Sequence, residues 1–336
     1  MNARLADLPA DQRDKLRQCG QPEWTSPMLA TLTKQRFSDE RWICERKLDG
    51  ERCLAFITRG SVRLLSRNKK ALNTQYPELC DALAAQPSDH FIVDGEVVAF
   101  KGNVTSFARL QKRMHVEDSD AARKTGVVVY FYLFDMLYLD GYDLTQLPLR
   151  TRKALLKHAL QFEDPLRFEL HRNQDGMAFF HEACAKGWEG IIAKRAGSTY
   201  QHMRSHDWLK FKCVNRQEFV VGGYTEPSGA RIGFGALLLG YYEDGSLRFA
   251  GKVGTGFDDK TLRDLHTRLQ RLEQKSVPFV DPGDLPTQNV HWVAPELVAQ
   301  IGFEEWTRHD KLRQPRFQGL REDKAARDVV REEPKE

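Results

Sequence analysis

Three times in the first half of the sequence, two short apolar runs meet at a turn dipeptide: Arg59-Gly60, Gly102-Asn103 and Asp140-Gly141. Each is a hairpin signal, because glycine, and to a lesser degree asparagine and aspartate, take the positive φ of a tight turn at low cost. Hairpins pair consecutive strands antiparallel. Helices are expected between them: residues 151–161 are rich in leucine, lysine and alanine, and residues 175–186 run from a polar start to Gly187, placed as a C-terminal cap. The first half therefore reads as an α+β domain built on an antiparallel sheet.

From residue 214 the pattern changes. The runs EFVVGGY and GALLLGYYEDGSLRFAGKVG, the second bent at Asp244-Gly245, predict further strands. One amphipathic helix follows over 258–274, with Leu262, Leu265, Leu269 and Leu272 spaced to share a face. Strands plus a single helix fit a small barrel of the OB-fold type. At 336 residues the chain is long enough for two domains with separate cores. The expected organisation is an N-terminal extension (1–25), the α+β domain (26–213), the barrel (214–324) and a charged, frayed tail (325–336).

No apolar run approaches the roughly 20 residues that cross a bilayer, and the N-terminus lacks the apolar stretch of a secretory signal. The expectation is a soluble cytoplasmic protein with no membrane partner. The six cysteines, Cys19, Cys44, Cys53, Cys80, Cys184 and Cys213, are scattered singly, which argues against a zinc site or a disulfide framework. A net charge of +4 is weaker than that of a DNA-coating protein and fits one basic face on a balanced surface.

The only Gly-Lys pair, Gly251-Lys252, is followed by valine and lacks the upstream glycine, so a phosphate-cradling GxxxxGK[ST] loop is excluded. Instead, Lys47-Leu48-Asp49-Gly50-Glu51-Arg52 matches a KxDGxR pattern. In order after it come Ser66-Arg67-Asn68, Val93-Asp94-Gly95-Glu96, Phe134-Asp135, Glu189-Gly190-Ile191-Ile192-Ala193-Lys194, Trp208-Leu209-Lys210-Phe211-Lys212 and Arg321-Glu322-Asp323-Lys324. This ordered series resembles the covalent nucleotidyltransferases. With SPMLA at 26–30, FGALLLG at 234–240 and GLREDK at 319–324, its wording is most similar to ATP-dependent DNA ligases, in particular the ligase module of bacterial end-joining ligases of the ligase D type.

The resemblance implies that Lys47 attacks the α-phosphate of ATP, releases pyrophosphate and carries AMP, which then passes to the 5′-phosphate of a DNA break before a 3′-hydroxyl seals it. It places Glu45 beside the adenine edge, Phe134 under the purine, and Arg52, Arg67 and Glu96 around the ribose and neighbouring phosphate. Asp49 and Glu189 are the carboxylates assigned to Mg²⁺ or Mn²⁺, since hard ions prefer oxygen. Lys210 and Lys212, two apart on a strand-like segment, point to one face as two phosphate contacts require. Arg321 and Lys324 are assigned to the departing pyrophosphate. Because a free lysine is protonated at neutral pH, nearby cations including Mg²⁺ and the basic groups Lys210 and Lys212 are expected to lower the Lys47 pKa. The implied partners are nicked or broken duplex DNA, met by a monomer associated with the nucleoid, and a Ku-type end-binding protein.

Lys69, Lys70, Arg109, Lys112 and Arg113 are further candidates for DNA phosphates, with an ordinary basic surface as the alternative. His115, His202, His206 and His291 form no ligand-spaced pair. Competing functions are an RNA ligase or capping guanylyltransferase, which share the lysine chemistry, and a catalytically silent OB-fold binding protein. The absence of a cysteine-rich zinc module disfavours an NAD-dependent ligase. The extension before Ser26 is too short for the DNA-encircling domain of larger ligases.

Overall fold

The computed structural model describes residues 3–114, 116–213, 215–229, 231–280, 285–286, 288–307 and 309–332, so His115 lies outside the described residues. The chain divides into two compact units at residue 213.

In the first unit, strands Glu51–Thr58 and Ser61–Ser66 form a hairpin whose turn residues Arg59 and Gly60 both have positive φ (49° and 77°). Asp140 and Gly141 do the same at 45° and 95°. Two expected turns thus take the tight geometry their sequences favour. The larger sheet has the order Arg17–Gln18, Tyr142–Asp143, Val129–Leu139, His90–Lys101, Glu51–Thr58, Ser61–Ser66. A smaller sheet runs His171–Asn173, Trp42–Arg46, Gly190–Arg195, Arg204–Lys212, Leu29–Leu32. Pairing is antiparallel apart from two parallel neighbours, Leu166–Phe168 beside Val129–Leu139 and Leu29–Leu32 beside Arg204–Lys212.

Strand Glu51–Thr58 shows how the layers are made. Cys53, Ala55 and Ile57 alternate with Leu54 and Phe56, and both sets are buried. The first set joins the main core with Leu79, Leu83, Leu155 and Leu156 of helices Pro77–Ala84 and Leu149–Ala159. The second set meets Met28, Ile92, Phe134, Tyr200 and Trp208, a cluster drawn from both sheets. A period of two with apolar residues on both faces is the pattern of a strand covered on both sides.

Several expectations change. Leu5 is fully buried in the main core and Arg17–Gln18 pairs with Tyr142–Asp143, so the N-terminal extension is part of the first unit. Cys184 and Cys213 form a disulfide, which their separate positions did not announce. Arg113 is not a surface cation: at 1% exposure its guanidinium donates to the Gln75 and Val127 carbonyls and to Glu78.

The second unit is a small barrel wound around the long strand Asn215–Thr225. That strand pairs with Leu237–Glu243, Val290–Val293 and Val298–Phe303. Ser246–Val253 and Arg316–Leu320 extend the two sides. The hairpin at Asp244-Gly245 has φ of 48° and 75°. Helix Asp259–Arg271 is capped by Asp258, whose carboxylate accepts from the Thr261 amide, and buries Leu262, Leu265 and Leu269 with Leu272 packed against the same core. The tail expected to fray begins as structure: Val329 is fully buried and Val330 bridges to Tyr242.

Candidate functional site

Strand Trp42–Arg46 runs antiparallel to Gly190–Arg195, with Arg46 opposite Ile191 and Glu45 opposite Ile192. Lys47 continues this register, its amide donating to the Gly190 carbonyl at 2.9 Å. The next residue back along the partner strand is Glu189, and its Oε2 lies 2.6 Å from Lys47 Nζ. Gly190 lets its strand lie close against the strand on its other side, Arg204–Lys212. Its φ is +147°, and a Cβ there would stand 2.0 Å from the Phe211 carbonyl oxygen. Gly50 serves the turn after Lys47 similarly, since a Cβ would meet the Val97 carbonyl oxygen at 2.2 Å.

Both members of the Lys47–Glu189 pair are sheltered, at 18% and 6% side-chain exposure. Burial alone would lower the Lys47 pKa, but Glu189, followed by Asp49 and Glu96, outweighs it and holds the ammonium above the ordinary lysine value. Among the side chains alone, these carboxylates outweigh the lowering expected from Lys210 and Lys212. Those two lysines lie on the neighbouring strand opposite Gly190 and Ile192: Lys212 pairs with Gly190, Lys210 with Ile192, and fully buried Phe211 between them pairs with Ile191.

Arg52 sits opposite Glu96 in the sheet, and its guanidinium is gripped by Asp94 through Nε to Oδ1 at 2.5 Å and Nη2 to Oδ2 at 2.6 Å. Tyr200 also donates to Asp94, at 2.6 Å. The guanidinium lies 4.6 Å from the centroid of the Phe134 ring, which is 7% exposed and packs edge-on against Trp208. Phe134 thus packs against Trp208 in the cluster between the sheets, with the Arg52 and Lys194 cations close to its ring. Arg67 occupies the turn after Ser61–Ser66, where the Ser66 hydroxyl accepts from the Asn68 and Lys70 amides.

Glu45, two residues before Lys47, is 2% exposed and ion-paired on both oxygens: Lys153 Nζ to Oε1 at 2.6 Å and Lys194 Nζ to Oε2 at 2.5 Å. Burial would raise its pKa, yet the two ammonium groups hold it below the usual carboxylate value. Lys194 also stands 4.0 Å from the Phe134 and Trp208 ring centroids. Buried Glu169 lies beside this cluster, accepting from the Arg46 amide at 3.2 Å. Burial, then the charge of Glu45, pushes its carboxyl up to about 8. The role of Lys153 and Glu169 was missed in the sequence, because 108 residues separate Lys153 from Glu45 and neither lies in a motif segment.

In the second unit Arg321 is forked onto Asp323 at 2.9 and 2.7 Å, while Lys324 reaches Glu218 at 3.2 Å. Among the described residues no group of three or more His, Cys, Asp or Glu is arranged to hold a metal ion. Among the described residues, no helix is long and apolar enough to cross a membrane.

A sheltered lysine–carboxylate pair at the end of adjacent strands of the smaller sheet, in a two-sheet unit joined to an OB-fold domain, defines a nucleotidyltransferase of the ligase class. The family models agree. Residues 27–212 match the ATP dependent DNA ligase domain and residues 230–324 the ATP dependent DNA ligase C terminal region. The chain belongs to the ATP-dependent DNA ligase family. It is 41% identical over 320 residues, 93% of the chain, to the multifunctional non-homologous end joining protein LigD of Pseudomonas aeruginosa, of which it covers 37%. It is 34% identical over 278 residues to a DNA ligase of Pyrobaculum calidifontis, with 77% of the chain and 47% of that protein covered. Among solved structures it is similar to mycobacterial DNA ligase D complexed with ATP and MES, with a TM-score of 0.66, 35% identity, and 92% and 98% of the two chains covered. The chain thus spans 37% to 41% of the length of the LigD relatives it matches.

Proposed function

We propose that this chain seals breaks in duplex DNA by an ATP-dependent reaction in which Lys47 is the nucleophile. The observation that carries the reading is the sheltered Lys47–Glu189 pair at the end of paired strands. The Lys47 amine, once it has given up its proton, attacks the α-phosphorus of ATP. A P–N bond forms, the bond to the bridging oxygen breaks, and pyrophosphate leaves. AMP then moves to a DNA 5′-phosphate, and attack by the 3′-hydroxyl releases it as the phosphodiester closes. Charge gathers on phosphate oxygens throughout, so positioned cations such as Lys210 and Lys212 supply stabilisation.

Asp49 and Glu189 offer the oxygen donors that Mg²⁺ or Mn²⁺ prefers, and both act on the Lys47 ammonium. They fit an ion of the kind shared between one or two carboxylates and substrate phosphates, where it would neutralise charge on the triphosphate. Glu45 meets the adenine edge, Phe134 lines the purine pocket, and Arg52, Arg67 and Glu96 serve the sugar and adjoining phosphate. Arg321 and Lys324 act on the adenylylation step through the pyrophosphate.

The similarity to LigD proteins supports a place in end joining, with a Ku-type protein as recruiting partner and a monomer acting at the nucleoid in the cytoplasm. The test is incubation with α-labelled ATP followed by a denaturing gel, then sealing of a nicked DNA duplex beside a nicked RNA duplex. A label on the unmodified protein that is lost in Lys47→Ala, with sealing of the DNA substrate, is expected. Label retained by Lys47→Ala places the nucleophile elsewhere, and preference for RNA replaces the DNA ligase reading with an RNA ligase.

A further inference from the structure

We infer that Lys153, on a helix outside every motif segment, is a positioning residue that sets the choice of nucleotide base by holding Glu45 as a fixed acceptor. The inference rests on the proposed placement of the donor's base against Glu45, and deepens it.

Lys153 is 2% exposed and its ammonium has three hydrogens to place. It has three acceptors: Glu45 Oε1 at 2.6 Å, the Glu169 carbonyl at 3.0 Å and the Phe134 carbonyl at 3.4 Å. One side chain therefore ties together the strand leading to Lys47, the strand carrying the ring assigned to the purine, and the backbone at Glu169. The helix that carries it has no freedom to drift. Its preceding residue, Arg152, is fully buried and forked onto Asp135 at 2.7 and 2.9 Å, and donates as well to the Leu147 and Ser198 carbonyls. Asp135 is the neighbour of Phe134, so helix and ring are registered twice.

With Lys194 on its other oxygen, Glu45 is a charged carboxylate held from both sides. Such a group can only accept hydrogen bonds. Adenine offers an amino donor on the edge where guanine offers a carbonyl acceptor. A carboxylate pinned in this state therefore welcomes adenine and repels guanine, while a carboxyl free to rotate or to take up a proton reads either. Neighbouring Glu169 does not compete for the lysine, because burial keeps its carboxyl protonated at neutral pH and Lys153 reaches only its backbone oxygen. Arg46 contributes its amide to Glu169 and carries its guanidinium away, over the Trp188 ring at 4.3 Å.

The experiment measures initial rates of Lys47–nucleotide adduct formation with ATP, GTP and purine riboside triphosphate, which is ATP without the exocyclic amine. The unmodified protein, Lys153→Met and Lys153→Arg are compared. Lys153→Met is expected to raise the KM for ATP about tenfold or more, the worth of one charge-assisted hydrogen bond, with little change in kcat. With purine riboside triphosphate the unmodified protein and Lys153→Met should have the same KM, since the amine read by Glu45 is missing. Lys153→Arg should recover part of the preference for ATP over GTP. An equal loss on all donors, or a loss in kcat alone, overturns the inference and makes Lys153 a packing residue.

Should Lys153→Met fail to fold, Glu45→Gln serves. Its side chain both donates and accepts, so the advantage of ATP over GTP and over purine riboside triphosphate should collapse, and retention of that advantage refutes the role of the pair. Absence of any Lys47 adduct in the unmodified protein would instead reject the ligase reading itself.

Discussion

Lys47 and Glu189 hold each other in a sheltered place, and that has a cost for any substitution at either position. Removing the ammonium leaves a carboxylate of 6% exposure without its closest counter-charge. Breaking one half of a buried pair typically costs about 3 kcal/mol or more. Lys47→Ala is therefore expected to lose both the AMP label and roughly 2–3 kcal/mol of stability, less than the full figure because the pair is partly exposed. Adding Glu189→Gln should restore most of the stability and none of the label. Denaturant titration of the three proteins checks it; a double variant no more stable than Lys47→Ala would mean that Glu189 is compensated by other groups.

Glu169 gives a pH dependence with a definite sign. Its folded carboxyl titrates at about 8 against an ordinary 4.5, so between those values the folded chain holds a proton that the unfolded chain has released. Stability from this group is complete below about 4.5, declines as pH rises through the window and is gone above about 8. The slope is at most about 1.4 kcal/mol per pH unit. Glu169→Gln, which keeps the shape and can still accept from the Arg46 amide, should gain stability relative to the parent between pH 5.5 and 8. Parallel unfolding curves at the two pH values would show that Glu169 is ionised in the folded chain.

At the scale of elements, two glycines on either side of Glu189 separate conformation from contact. Gly187 ends helix Gly176–Ala185 with φ +69° and open space where a Cβ would go; Gly190 has φ +147° and the Phe211 carbonyl in the way. Gly187→Ala should cost about 1–2 kcal/mol, the strain of the left-handed region, and leave adduct formation intact. Gly190→Ala must push strand Gly190–Arg195 off its partner, so about 3 kcal/mol or more and most of the activity should go. Equal effects of the two substitutions would deny the close approach its role.

The same elements show what the sequence could disclose. Arg59-Gly60, Asp140-Gly141 and Asp244-Gly245 were legible because a turn is decided by the two residues in it. So was the order of motif segments that the smaller sheet and its neighbour assemble around Lys47. The Glu45–Lys153 link and the Cys184–Cys213 disulfide were not, since each is a contact between elements set by how helix and sheet pack, with no local pattern at either end. Arg113 was misread because its helix puts two basic residues in the last turn, and only the packed structure shows that one of them points inward.

For the whole molecule, the division at residue 213 leaves the nucleophile in one unit and the terminal Arg321-Glu322-Asp323-Lys324 segment in the other. Within its own unit that segment is well held: Arg321 on Asp323, Lys324 on Glu218, and Glu322 accepting from Arg268 at 2.7 Å. Both cations keep only 14% side-chain exposure and Asp323 is buried, so these pairs are about as sheltered as Lys47–Glu189 and their loss has a cost in stability. Residues serving only the fold would have no reason to separate the steps of ligation. Residues serving the pyrophosphate would, because pyrophosphate is present when Lys47 takes up AMP and absent when the nick closes. An Arg321→Ala, Lys324→Ala double variant is therefore expected to melt below the parent while remaining folded, to form the Lys47 adduct about 100-fold more slowly or worse, as for loss of a transition-state cation or donor, and to seal a pre-adenylylated nick without ATP at close to the parental rate. The two rates are measured on one preparation, with the melting curve as control. Equal loss in both steps would make the segment a general element of the barrel or of DNA binding, and an unaltered adduct rate would remove it from the chemistry altogether.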